Sequence, residues 1–103
     1  TNQTEGRLMI VNYKNKMTEA VAKGKCPKGF PPDIVKTAVR KIAYLEAATT
    51  LNDLRVPPGN MLEALERDRK GQHSIRINDQ WRICFTWTDA GPSQVEIVDY
   101  HRG

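Results

Sequence analysis

Residues Trp81 to Trp87 alternate without a break: Trp81, Ile83, Phe85 and Trp87 fall on one side, Arg82, Cys84 and Thr86 on the other. Successive side chains of a strand point to opposite faces. This stretch therefore demands a sheet with one apolar face. Asn78-Asp79 before it is the chemistry of a tight hairpin, and Asp89 to Pro92 after it supplies a second turn. The flanking strands are then Ser74 to Ile77, with Ile75 and Ile77 on one side, and Gln94 to Tyr100. Met61 to Leu65 is a further candidate strand, followed by the basic turn Arg67 to Gly71. Pro57-Pro58-Gly59 marks the boundary upstream, since it neither continues a helix nor sits in a central strand.

Ahead of that boundary the spacing is helical. Pro31-Pro32 opens a helix in which Ile34, Val35, Ala38, Ile42 and Leu45 recur on one stripe, with Lys36, Arg40 and Lys41 off it. It fades near Ala48 to Thr50. A shorter helix is expected from Lys14 to Lys23, on Met17, Ala20 and Val21, with Gly24 as its stop. Met9 to Tyr13 is rich in β-branched and aromatic residues and is expected to join the sheet as a short strand, because a lone strand is not stable. Thr1 to Leu8 is polar and without period, and reads as an expression remnant or disordered start. The expectation is a single α+β domain over residues 9–103. Its order is β-α-α-β-β-β-β, with two N-terminal helices on one face of a small, mainly antiparallel sheet.

At 103 residues and 39% hydrophobic, the chain has one modest core and a large polar surface. No apolar run is long enough for a membrane span and no secretory leader is visible, so a cytoplasmic location is expected. Cys26 and Cys84 are far apart without metal-site spacing and read as free thiols. With only His73 and His101 beside them, no metal site or cofactor is expected. The net charge of +4 is mild, but Arg67, Arg69, Lys70, Arg76 and Arg82 crowd one stretch whose acids are Glu66, Asp68 and Asp79. That stretch is either a solvated strand-and-turn surface or a phosphate-facing patch.

Arg82 is unusual in an otherwise apolar strand. It either pairs with a neighbouring acid such as Glu96 or Glu63, or presents its planar fork to a phosphate. Asp99, Tyr100 and His101 cluster three proton-handling groups at the end of the last strand, although alternation sends Tyr100 away from Asp99 and His101. Together these parts suit metal-free cleavage of RNA, in which the 2′-hydroxyl is the nucleophile. The protein then supplies a base, cations and an acid.

The run Arg69-Lys70-Gly71-Gln72-His73-Ser74-Ile75-Arg76-Ile77-Asn78-Asp79-Gln80-Trp81-Arg82-Ile83-Cys84-Phe85 strongly resembles the HigB family, toxins of type II toxin–antitoxin systems in the RelE superfamily. The ending Val95-Glu96-Ile97-Val98-Asp99-Tyr100-His101 and the loop Asp53-Leu54-Arg55-Val56-Pro57-Pro58-Gly59-Asn60 also resemble it. The resemblance implies a RelE-like fold and an endoribonuclease that cuts mRNA in the ribosomal A site without metal. It implies a HigA-like helix-turn-helix antitoxin as partner, and contact with operator DNA only through that antitoxin. Carried over by position, Arg82 is the transition-state cation and Asp99, Tyr100 and His101 are the terminal trio. The family turn Leu-Lys-Gly-Asp-Arg reads here Leu65-Glu66-Arg67-Asp68-Arg69, so Arg69 keeps its place and Glu66 replaces a lysine. Glu66 either weakens base activation or itself acts as base. Arg67, Lys70, His73 and Arg76 are the expected RNA contacts. A competing expectation is a catalytically weak ribosome- or RNA-binding module under the same partner.

Overall fold

The computed structural model describes residues 9–100. Two helices, α1 (Lys16–Ala22) and α2 (Val35–Ala47), precede four strands, β1 (Glu63–Ala64), β2 (His73–Arg76), β3 (Trp81–Thr88) and β4 (Gly91–Asp99). The strands form one antiparallel sheet in the order β1-β2-β3-β4. No helix among the described residues is long and apolar enough to cross a membrane.

Asn15 caps α1, its side-chain oxygen accepting from the Thr18 amide at 2.9 Å. Thr18 and Val21 turn inward, and the Ile97 amide donates to the Thr18 hydroxyl at 3.0 Å, tying α1 to β4. α2 buries Ala38, Ile42 and Leu45 as its stripe requires. These side chains form one core with Ile75, Ile83, Phe85, Val95 and Ile97 from the sheet. Both helices therefore cover the odd-numbered face of β2 and β3. Each large apolar side chain buried there contributes about 1.5–3 kcal/mol. Trp81 and Trp87, at the ends of the alternating row, are half-buried against that core. Trp81 meets Phe30 edge to face at 5.2 Å.

Several expectations need correction. Met9 to Tyr13 is not a strand. The segment runs beside β4 through one isolated parallel bridge, Tyr13 to Val95, and bonds such as Val11 N–H to Pro92 O at 2.8 Å. Pro92 has no amide to give, and the register of β4 shifts at a bulge near Thr86, so a continuous ladder cannot form. Gly91 is required beneath this segment, because a Cβ there would overlap the Met9 carbonyl oxygen. β1 is shorter than Met61 to Leu65. The chain enters it from a left-handed Met61 and leaves it toward a left-handed Arg67. β4 starts earlier than Gln94, at Gly91.

Lys41 is also misplaced by the helical stripe. It is only 6% exposed, with its ammonium donating to Asn60 Oδ1 at 2.7 Å. Asn60 Nδ2 donates in turn to the carbonyls of Leu54, 3.1 Å, and Val56, 3.3 Å. Burial lowers the Lys41 pKa, with Arg40 and Arg76 adding to the effect.

The connection from residue 51 to 60 is ordered by short 3-10 turns. At the first, Thr50 and Asp53 cap each other. The Thr49 backbone amide, the Thr49 hydroxyl and the Thr50 amide all donate to Asp53 Oδ2 and hold its pKa below 3.8. A carboxyl depressed in the fold adds stability above its unfolded pKa and loses it as pH falls through the folded value. Thermal melts between pH 5 and pH 2 are expected to show an acid-side slope that Asp53→Asn flattens. An unchanged slope in the variant would show that the cap carries no net stability.

Candidate active site

The sheet face turned away from the helices holds the chemistry. Register places Glu63, Ser74, Cys84 and Glu96 opposite one another in a single row across all four strands. With strands about 4.8 Å apart, its ends lie about 14 Å from each other. Small side chains, Ser74 and Cys84, form the floor. Each end carries a carboxylate beside an arginine.

At one end Arg82 is 13% exposed. Its Nε donates to Ser74 Oγ at 2.7 Å, Nη2 donates to the Met61 carbonyl at 2.7 Å, and Nη2 lies 3.4 Å from Glu63 Oε1. Arg82 thus makes the acid pairing that its strand position allowed, and also spans the β1–β2 edge. At the other end Arg69 Nη1 donates to Gln72 Oε1 and Glu96 Oε1, both at 3.1 Å. Lys14 Nζ reaches the same Glu96 oxygen at 3.7 Å.

Tyr100 lies over the middle, its hydroxyl 3.8 Å from Cys84 Sγ. Burial raises the Tyr100 pKa, and the Cys84 contact adds to the rise. Arg69 and Arg82 pull it down by less. Arg69 and Arg82 favour the phenolate, yet desolvation outweighs them and the group stays a proton donor. Burial likewise keeps the Cys84 thiol neutral, against the pull of Tyr100 and Arg69.

The other sequence-selected residues are dispersed. Asp99 points away from Tyr100, as strand alternation requires, and accepts from Gln80 Nε2 at 3.2 Å. Glu66, Arg67 and Lys70 are exposed on the turn around Arg69. Arg76 sits opposite Arg82 with its guanidinium paired to Asp79. His73 is on the helix-covered face, its ring stacked 6.3 Å from Phe85, at a cavity lined also by Leu51, Asn52, Arg55, Leu62 and Ala64. Its Nδ1 is buried without a partner. His101 lies outside the described residues. Sequence reasoning missed Ser74, Cys84 and Lys14 as neighbours of the site and treated Glu63 and Glu96 only as ion-pair partners. The signal that joins them is cross-strand register, which no single segment carries. Among the described residues no group of three or more His, Cys, Asp and Glu is placed to hold a metal ion.

Two helices over a four-stranded antiparallel sheet, with arginines and a tyrosine on the uncovered face, make an α+β domain compatible with the RelE-like toxins. The family model for the RelE-like toxin of type II toxin–antitoxin system HigB matches residues 11–101, and the chain belongs to this HigB-like toxin family. It is similar to Toxin HigB-1 of Vibrio cholerae serotype O1, 40% identical over 95 residues, covering 91% of this chain and 99% of that protein. It is similar also to the Endoribonuclease HigB of Proteus vulgaris, 26% identical over 93 residues, covering 90% of this chain and 100% of that one. Membership of a type II system implies an antitoxin partner.

Proposed function

We propose that this toxin is an endoribonuclease that cuts mRNA in the ribosomal A site, by attack of the RNA's own 2′-hydroxyl and without a metal. The observation that carries the reading is the convergence of Arg69, Arg82 and Tyr100 on one sheet face. The name of the Proteus vulgaris relative supports the reaction class. Arg82 and Arg69 compensate charge developing on the phosphate, the largest effect that fixed donors offer. Tyr100, held protonated, suits the acid that protonates the leaving 5′-oxygen. Arg67 and Lys70, exposed beside Arg69, suit sequence-independent phosphate contacts. Arg76 joins them when released from Asp79. Asp99 closes β4, His101 follows Tyr100 in the sequence as a further proton-handling group, and His73 has no place in the reading because it faces the core. A cytoplasmic HigA-like antitoxin blocks the toxin, with operator contact made through that partner. Primer extension on mRNA translated with and without the protein tests this. Codon-phased cuts only during translation are expected; an uncut message at full inhibition of translation refutes it.

A second reading, a catalytically weak ribosome-binding module, is favoured by the carboxylates already seated on both arginines and by Glu66 in the basic turn. A unit charge at about 4 Å is worth about 1 kcal/mol in a water-like dielectric. Reversing the charge in Glu66→Lys is therefore expected to speed cleavage by about tenfold or more, read as the rate of message loss in a translation extract. Unchanged cleavage removes residue 66 as the limiting position.

A further inference from the structure

Among the described residues the site has cations and an acid but no assigned base. Tyr100 is held protonated. Glu96 is clamped by Arg69 and Lys14 and is 18% exposed. Glu66 lies on the exposed turn beyond β1. Glu63 differs from all three. It is 61% exposed, so its free carboxylate oxygen meets solvent and incoming ligand. Its other oxygen stands 3.4 Å from Arg82 Nη2. Its backbone is fixed by the β1–β2 pairing to Ser74, and by Arg82 gripping the neighbouring Met61 carbonyl. A phosphate bound by Arg82 would lie beside this carboxylate, within reach of its free oxygen. Such placement on a rigid element is what proton transfer needs.

We propose that Glu63 is the general base of the cleavage, an inference that rests on the endoribonuclease reading. Its carboxylate takes the proton of the 2′-hydroxyl next to the phosphate held by Arg82. The 2′-oxygen forms a bond to phosphorus and the bond from phosphorus to the 5′-oxygen breaks. The 5′-oxygen takes the Tyr100 proton. The products are a 2′,3′-cyclic phosphate and a 5′-hydroxyl. Glu63 then releases its proton to water and Tyr100 regains one, so no other reactant is consumed.

The test is single-turnover cleavage on ribosomes programmed with a defined mRNA, at saturating toxin. Glu63→Gln keeps an oxygen for Arg82 but cannot accept the proton. It is expected to cut about 10²–10⁴-fold more slowly, with the half-saturating toxin concentration changed by less than about threefold. A message with sulfur in place of the 5′-bridging oxygen loses its leaving group without protonation. This message is expected to restore Tyr100→Phe and leave Glu63→Gln slow. A Glu63→Gln chain that cuts within about threefold of wild type, or faster, overturns the assignment, and so does rescue by the sulfur message. If Glu63→Gln does not fold, Glu63→Asp serves. A loss of at least about tenfold is expected there, and full activity overturns the proposal. A wild-type chain that leaves the message intact overturns the endoribonuclease reading and this one with it. A cutting wild type beside an equally active Glu63→Gln overturns this one alone.

Discussion

An Arg82→Ala chain is expected to cleave translated mRNA about 10²–10³-fold more slowly than wild type while keeping most of its affinity for ribosomes. The magnitude is that of removing one preorganised donor from a developing oxyanion. Arg82 is positioned before RNA arrives. Its Nε is fixed by Ser74 Oγ and its Nη2 by the Met61 carbonyl, so little reorganisation is needed at the moment of reaction. Those same bonds hold the β1 edge, and their loss costs stability, on the order of 1–3 kcal/mol. The cleavage assay is therefore run below the melting transition of the variant. Arg82→Lys retains a charge but loses the planar fork, and is expected to recover only part of the rate. Cleavage by Arg82→Ala within about threefold of wild type would reduce Arg82 to a structural brace. An absence of cleavage in wild type and variant alike, with binding equal, would favour the binding-module reading.

The second large effect concerns stability. Asn60→Ala is expected to destabilise the fold by about 2–4 kcal/mol, because it leaves the buried Lys41 ammonium without its 2.7 Å acceptor. For a domain near this size each kcal/mol is worth roughly 4–8 °C in Tm. Asn60 is fully buried and bridges α2 to the loop over β2, so the loss includes packing as well as charge. The pH dependence has a defined sign. Lys41 titrates below 10.5 in the fold, so the unfolded chain binds the proton more tightly. Stability from this group is then gained as pH rises through the folded pKa toward the unfolded one. Removing Asn60 depresses the folded pKa further, so the deficit of Asn60→Ala is expected to shrink in alkaline buffer. Melting curves at pH 7 and pH 9.5 read both terms. A deficit that grows with pH would show that Lys41 is not the residue left unpaired.

The alternation from Trp81 to Trp87 was sufficient to place Ile83 and Phe85 in the core, and the stripe of Ala38, Ile42 and Leu45 was sufficient to lay α2 on it. Both patterns are local, because burial on one face leaves its period in the chain. Arg82 and Tyr100 were legible as candidates through strand alternation and the family resemblance, and Arg69, on a turn, through the resemblance alone. His73 was not. Between two polar neighbours it looked like part of the basic patch, but its register partner is Phe85, and that pairing commits it to the core side. Lys41 was missed for a related reason. Its place on the helix is inward, and only a distant loop residue, Asn60, makes a cation tolerable there. Met9 to Tyr13 had the composition of a strand, but Pro92 and the bulge in β4 denied it a ladder.

The sequence by itself determined the two periodicities, the turns between strands and the charges available, and hence an α+β domain with a basic stretch. Only the tertiary structure decided which charges meet. The row Glu63, Ser74, Cys84, Glu96 draws one residue from each of four strands, and a one-residue slip in any pairing would send its member to the other face. Register is set by turn geometry, the bulge and the closing of the core together, so it is a property of the assembled sheet and not of any segment within it.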